Sequence, residues 1–155
     1  MNKASAGGDD TGPLLSPGFW LHHAALAWRA ELDARLAPLG VTPTQFLLLA
    51  SAGWLEQHGE SPTQQQVADL AGADRTMASK VMRVLTDQAL IRREVHEADA
   101  RAVQIRLTAA GRQLTRRAVA AARSVDAEVF GAEPADLRAA LRRIAQTHPS
   151  RSAPG

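Results

Sequence analysis

Along TMASKVMRVL, residues 76–85, Thr76, Ser79, Lys80 and Arg83 recur at i, i+3, i+4 and i+7, with Arg75 just ahead of them. Hydroxyls, an ammonium and a guanidinium at that spacing share one side of a helix, where they form a row of hydrogen-bond donors. Phosphate oxygens and base edges in a major groove accept such donors. Ala78, Val81, Met82 and Leu85 repeat the same spacing on the opposite side, which makes that face a candidate core. A second polar feature is HEADARAVQIRLT, residues 96–108, where Asp99 and Arg101 stand among alanines ahead of an alternating apolar run.

Other chemistries find little support. The chain has no cysteine, which excludes a disulfide framework, a thiolate metal site and thiol redox sensing. His22 and His23 are adjacent, so a helix would set them about 100° apart, and no HxxxH pair exists. No metal or cofactor is expected. There is no GxSxG, no phosphate-cradling glycine loop and no carboxylate pair in a supporting context, so an enzyme is not expected.

The donor row needs elements to hold it. Leu21, Ala25, Trp28, Leu32, Leu36 and Leu39 recur at spacings of three and four after Pro17, which predicts a helix that Gly40 stops. TPTQ at residues 42–45 is a capping box with proline at the first helical position, and it opens a helix to about His58. Thr63–Gln66 repeats the signature ahead of a helix of about two turns that Gly72 ends. Asp74 can cap the donor-bearing helix, which runs to about Gln88. LIRREV and AVQIRLT read as the strands of a hairpin with HEADAR at its tip. Thr108 can cap a long helix carrying Leu114, Ala118, Ala121, Val125 and Val129, and a last helix with Leu137, Leu141 and Ile144 starts near Pro134.

Short helix, turn, helix and hairpin over residues 63–107 are the parts of a winged helix-turn-helix in order. The expected fold is therefore mainly α with a small β-hairpin wing. At 155 residues, with 45% hydrophobic and 22% charged side chains, the chain suits one globular unit with arms. No apolar run approaches the ~20 residues needed to span a bilayer. Residues 1–16, rich in Gly, Ser, Pro and Asp without a signal layout, read as a disordered arm, and a cytoplasmic location is expected. Net charge is only +2, but it runs from −3 over residues 1–60 to +4 over residues 111–155. Bulk charge therefore says little about a polyanionic partner, and placement of single charges must decide.

Residues 41–111 resemble the MarR family of bacterial transcription regulators: VTPTQFLLLA, then TQQQVADLAGADRTMASKVMRVLTDQALIRRE, then DARAVQIRLTAAG. The D-x-R followed by alternating apolar residues and L-T-x-x-G is its most specific part. The resemblance implies a winged helix-turn-helix at 41–110 between a dimerisation helix at 17–40 and dimerisation helices at 111–147, with a flexible tail at 148–155. It puts Thr76, Ser79 and Lys80 against bases and phosphates, with Arg75 and Arg83 at the margins. It puts Arg101 in a minor groove, with Asp99 aiming it. The family often has glycine where Ala89 stands, and alanine tolerates a left-handed turn less well.

The implied protein is a homodimeric regulator of a pseudo-palindromic double-stranded operator, a repressor released by a small aromatic or anionic effector. Trp20, His23, Trp28, Phe46 and Trp54 are the aromatic residues on the elements that would line an effector cleft. The basic residues Arg112, Arg116, Arg117, Arg138, Arg142 and Arg143 read as solvated helix faces rather than an anion surface. The competing reading is a winged-helix module that binds protein and no DNA.

Overall fold

The first five α-helices of this chain begin where a side chain can occupy the backbone N–H groups that have no intrahelical acceptor. The structure is a computed structural model and describes residues 12–59, 61–95 and 103–147. α1 (Pro17–Leu36) opens on Ser16, whose hydroxyl accepts from the Phe19 amide at 3.3 Å. It tightens into a 3-10 turn over residues 37–39 and stops at Gly40, whose φ of 69° lies in the left-handed region. α2 (Pro43–His58) and α3 (Gln64–Leu70) each carry a complete capping box, Thr42 with Gln45 and Thr63 with Gln66. The Asp74 carboxylate opens α4 (Arg75–Asp87) by accepting from the amides of Thr76 and Met77 at 2.9 and 3.0 Å.

β1 (Ile91–Val95) and β2 (Val103–Leu107) pair antiparallel, with Ile91 opposite Leu107 and Val95 opposite Val103. Thr108 then caps α5 (Ala109–Phe130), and α6 (Ala135–Thr147) follows. The mainly helical fold with a hairpin wing is thus the one the residues predict. Residues 13–15, which fall in the expected arm, form a 3-10 turn, and the Leu14 carbonyl accepts from the Trp20 indole at 2.7 Å. The hairpin tip with Asp99 and Arg101, the first eleven residues and the tail from His148 lie outside the described residues.

The apolar faces meet in two clusters. Leu48, Leu49 and Ala52 of α2 pack with Val67 and Ala68 of α3, Ala78, Met82 and Leu85 of α4, and Ile91, Ile105 and Leu107 of the hairpin. Burying a side chain of Leu or Ile size contributes roughly 1.5–3 kcal/mol, so this cluster fixes α4 and the wing on one support. Leu32 and Leu36 of α1, Phe46 of α2 and Ala118 and Ala122 of α5 form the second cluster. Leu114 packs against both, which makes them continuous. α6 buries none of its residues, and its Leu137, Leu141 and Ile144 are exposed. Among the described residues no single helix is long and apolar enough to cross a membrane.

Two turns of one type bracket α4. After α3, Ala73 N donates to Ala68 O at 2.9 Å and Gly72 N to Asp69 O at 3.1 Å, with Gly72 at φ 63°. After α4, Leu90 N donates to Leu85 O and Ala89 N to Thr86 O, both at 2.9 Å. Both are Schellman turns, which need a left-handed residue at the position after the C-cap. Ala89 fills that position with φ 56°, the one non-glycine residue with positive φ among those described. The missing glycine therefore leaves the turn's form unchanged and adds about 1 kcal/mol of backbone strain.

Candidate nucleic-acid interface

The buried side of α4 is Ala78, Met82 and Leu85, with Val81 half-buried. At about 100° per residue, the direction opposite that side falls between Thr76 and Lys80, with Arg83 next to Thr76. These three are exposed, as is Arg75, while Ser79 sits half-buried at the edge. The structure thus places Thr76, Lys80 and Arg83 on the outer face of α4, with Ser79 at its edge and Arg75 exposed at the helix's first position. Asp87 lies one heptad beyond Lys80 and is also exposed. A polyanion would therefore meet donors near the N-terminal half of α4 and a carboxylate near its end, so the approach favours the N-terminal half.

The wing strands are tied to α3, and α3 packs on α4. Thr63 forms an isolated antiparallel bridge with Gln104, and Ile105 N donates to Pro62 O at 2.8 Å. Arg93 of β1 reaches the Gln64 side chain at 2.9 Å. The exposed cross-strand pair Arg106–Glu94, at 3.1 Å, adds little beyond holding two side chains together.

Thr108 and Gly111 lock the root of the wing against Ala89 and Leu90. Thr108 Oγ1 accepts from Gly111 N at 3.0 Å and donates to Ala89 O at 2.7 Å, while Thr108 N donates to Leu90 O at 3.0 Å. Gly111 lies so close to the Leu90 carbonyl that no Cβ would fit. The L-T-x-x-G pattern therefore has a local cause: a hydroxyl that joins the α4–β1 turn to α5, and a glycine that lets the two backbones touch. Glu56 of α2 adds a second tie, accepting from Leu107 N at 2.7 Å and facing Arg112 at 3.5 Å. Arg112 also donates to Leu107 O at 2.6 Å. Arg112, read from sequence as part of a solvated face, is instead half of a clamp on the end of β2. Glu56 carried no signal in the sequence, since its partner amide is 51 residues away.

The aromatic candidates separate. Phe46 is buried in the second cluster, and Trp28 packs against that cluster while its indole donates to Asp126 at 2.8 Å. Trp20 is exposed near the start of α1, and His23 lies against Phe19 with ring centroids 4.3 Å apart. Trp54 stacks on His58 at 4.2 Å. It lines a groove of about 750 Å³ between α2 and α5, together with Gly53, Val119, Arg112, Arg116 and Arg123. The Glu56 carboxylate also lines the groove and faces Arg112, so a planar anion would find there an aromatic face, apolar walls and the guanidinium groups of Arg116 and Arg123. Near the far end of α5, the Arg35 guanidinium hydrogen-bonded to Glu128 at 2.7 Å, and then the Ser124 hydroxyl, hold the Glu128 carboxyl below the usual glutamate range.

Residues 39–102 match the family model described as MarR family. An uncharacterised HTH-type transcriptional regulator of Bacillus subtilis, YdcH, is 33% identical over 122 residues, which cover 79% of this chain and 83% of that protein. The crystal structure of the Mycobacterium tuberculosis transcriptional regulator MOSR in complex with DNA is similar at a TM-score of 0.69 and 29% identity, over 85% of this chain and 95% of that one. A Mycobacterium tuberculosis MarR-family protein in complex with salicylic acid matches at 0.60 and 28%, with the same coverage of both chains.

Proposed function

This chain belongs to the MarR family of DNA-binding transcription regulators, which are not enzymes, and on that premise we propose that it acts as a homodimeric repressor of a pseudo-palindromic operator, released by a small aromatic or anionic effector. The observation that carries the DNA contact is the outer face of α4, where Thr76, Lys80 and Arg83 stand exposed above a helix whose other side is fully packed. Arg75 and Ser79 flank this contact. Arg101, which follows β1 and precedes β2 in the sequence, is the residue proposed for a minor groove, with Asp99 aiming it.

The dimer reading rests on apolar surface at both ends of the chain. Leu21 and Leu26 of α1 and Leu137, Leu141 and Ile144 of α6 are all exposed in one copy. Surface of that kind is covered when the arms of two copies meet. The two α4 helices would then lie about one DNA turn, ~34 Å, apart. The effector reading rests on the groove beside Trp54 and on the salicylic acid bound by a relative 28% identical to this chain. Such a regulator works in the cytoplasm, where its operator is.

The test is selection of bound duplexes from a random library, repeated with a titration of salt and of salicylate. The expected result is an enriched palindrome, binding that weakens steeply with salt, and release by the effector. Arg101→Ala should weaken binding at least tenfold, about 1.4 kcal/mol. A protein-binding module would enrich no palindrome and retard no duplex even at low salt, which would overturn the proposal.

A further inference from the structure

Met77 and Val84 are 43% and 44% exposed on α4, although Ala78, Val81, Met82 and Leu85 already supply the helix's packing face. The two lie seven residues apart, which returns them to within about 20° of each other on the helix. Lys80 lies about 40–60° around the helix from them, with Thr76 and Arg83 on its other flank. The outward surface of α4 is therefore divided along its length: donors on one side, a central ammonium, and an apolar edge on the other.

An exposed methionine in the first turn of such a helix faces water in the free protein without a partner to cover it. Two side chains are far too small a patch for a stable protein interface, which needs roughly 1,000 Å². Their setting beside Lys80, Thr76 and Arg83 instead matches a surface that is both anionic and locally apolar. In a major groove the apolar feature is the 5-methyl group of thymine, and the N-terminal residues of a recognition helix are those that reach base edges.

We propose that Met77 reads a thymine methyl in each half-site, with Val84 extending the dry edge along the groove. The inference rests on the DNA-binding reading above and adds a specificity determinant to it. Methionine suits this role because its flexible, polarisable chain can settle on a methyl without demanding a hydrogen bond. The donors on the opposite flank then fix position, and Met77 selects the base.

The test uses the full chain and its tightest selected duplex, with each thymine replaced in turn by deoxyuridine, which lacks only the 5-methyl. At one thymine per half-site the wild-type protein should lose about fourfold in affinity per methyl removed. Met77→Ala should bind the thymine and deoxyuridine duplexes equally, whereas Met77→Leu should keep the difference. The Met77 variants should leave the salt dependence of binding unchanged, because no phosphate contact is lost, while Lys80→Ala should flatten it and retain the thymine preference. Equal wild-type affinity for every deoxyuridine duplex, or an undiminished thymine preference in Met77→Ala, overturns the inference and leaves the DNA-binding reading standing. If no duplex is bound specifically, both fall.

Discussion

Replacing Gly111 by alanine should open the root of the wing. A Cβ there would press into the Leu90 carbonyl oxygen, with the Leu90 carbonyl carbon at 2.9 Å and its Cα at 3.4 Å. Ordinary carbon–carbon contacts need about 3.5–4.0 Å, and the obstacle is backbone, which cannot rotate aside as a side chain can. The Leu90 peptide must retreat, yet its oxygen accepts from Thr108 N at 3.0 Å. Losing that hydrogen bond costs roughly 1–3 kcal/mol and forced overpacking another ~1–3. The better helix propensity of alanine returns about 1 kcal/mol, for a net loss of about 3. Urea unfolding at fixed protein concentration should show a midpoint lowered by about 1.5 M at a slope of about 2 kcal/mol/M. Gly18→Ala is the control, since its Cβ would meet only Ser16 Oγ at an ordinary 3.6 Å. If Gly111→Ala unfolds within about 0.5 kcal/mol of the wild type, the close approach does not constrain the wing and the reasoning fails.

Ala89→Gly relieves the left-handed strain in the turn after α4 and should raise stability by about 0.5–1 kcal/mol, whereas Gly72→Ala in the matching turn after α3 should lower it by a similar amount; unfolding shifts of the same sign would contradict this. Glu56→Ala leaves Leu107 N without its acceptor and removes the carboxylate facing Arg112, which should cost about 1–3 kcal/mol, with weaker operator binding in a retardation assay as β2 loosens. Leu141→Glu puts a charge on the exposed face of α6 and should raise the dimer dissociation constant at least tenfold by sedimentation, while leaving the helical signal of each chain intact. Glu128 titrates below the usual glutamate range, so its bond to Arg35 contributes fully above that range and is lost as pH falls through the lowered value. The stability gap between wild type and Glu128→Gln should therefore close on acidification, and a gap constant from about pH 7 to about pH 3 would count against the Arg35 latch.

Much of the fold was legible because its signals are local. Thr42, Thr63, Asp74 and Thr108 each cap an amide two or three residues away, so residue identity and spacing suffice to place helix starts. The split of α4 into a packed and a donor face is equally local, since 3.6-residue periodicity sets which side chains share a side. Met77 occupies the same wheel beside the donor face, where its residue type alone assigns it no partner.

What periodicity identifies is a face to be buried, never its partner. Nothing in α1 or α2 distinguishes Trp28 and Phe46, which join the core, from Trp54, which lines an open groove. That difference arises only when α5 crosses both helices, placing Asp126 beside a tryptophan 98 residues earlier and guanidinium groups beside another. The Gly111–Leu90 approach and the Glu56 clamp have the same character. They depend on backbone positions converging from distant segments, and pairwise distances of that kind are fixed by the packing of the whole core.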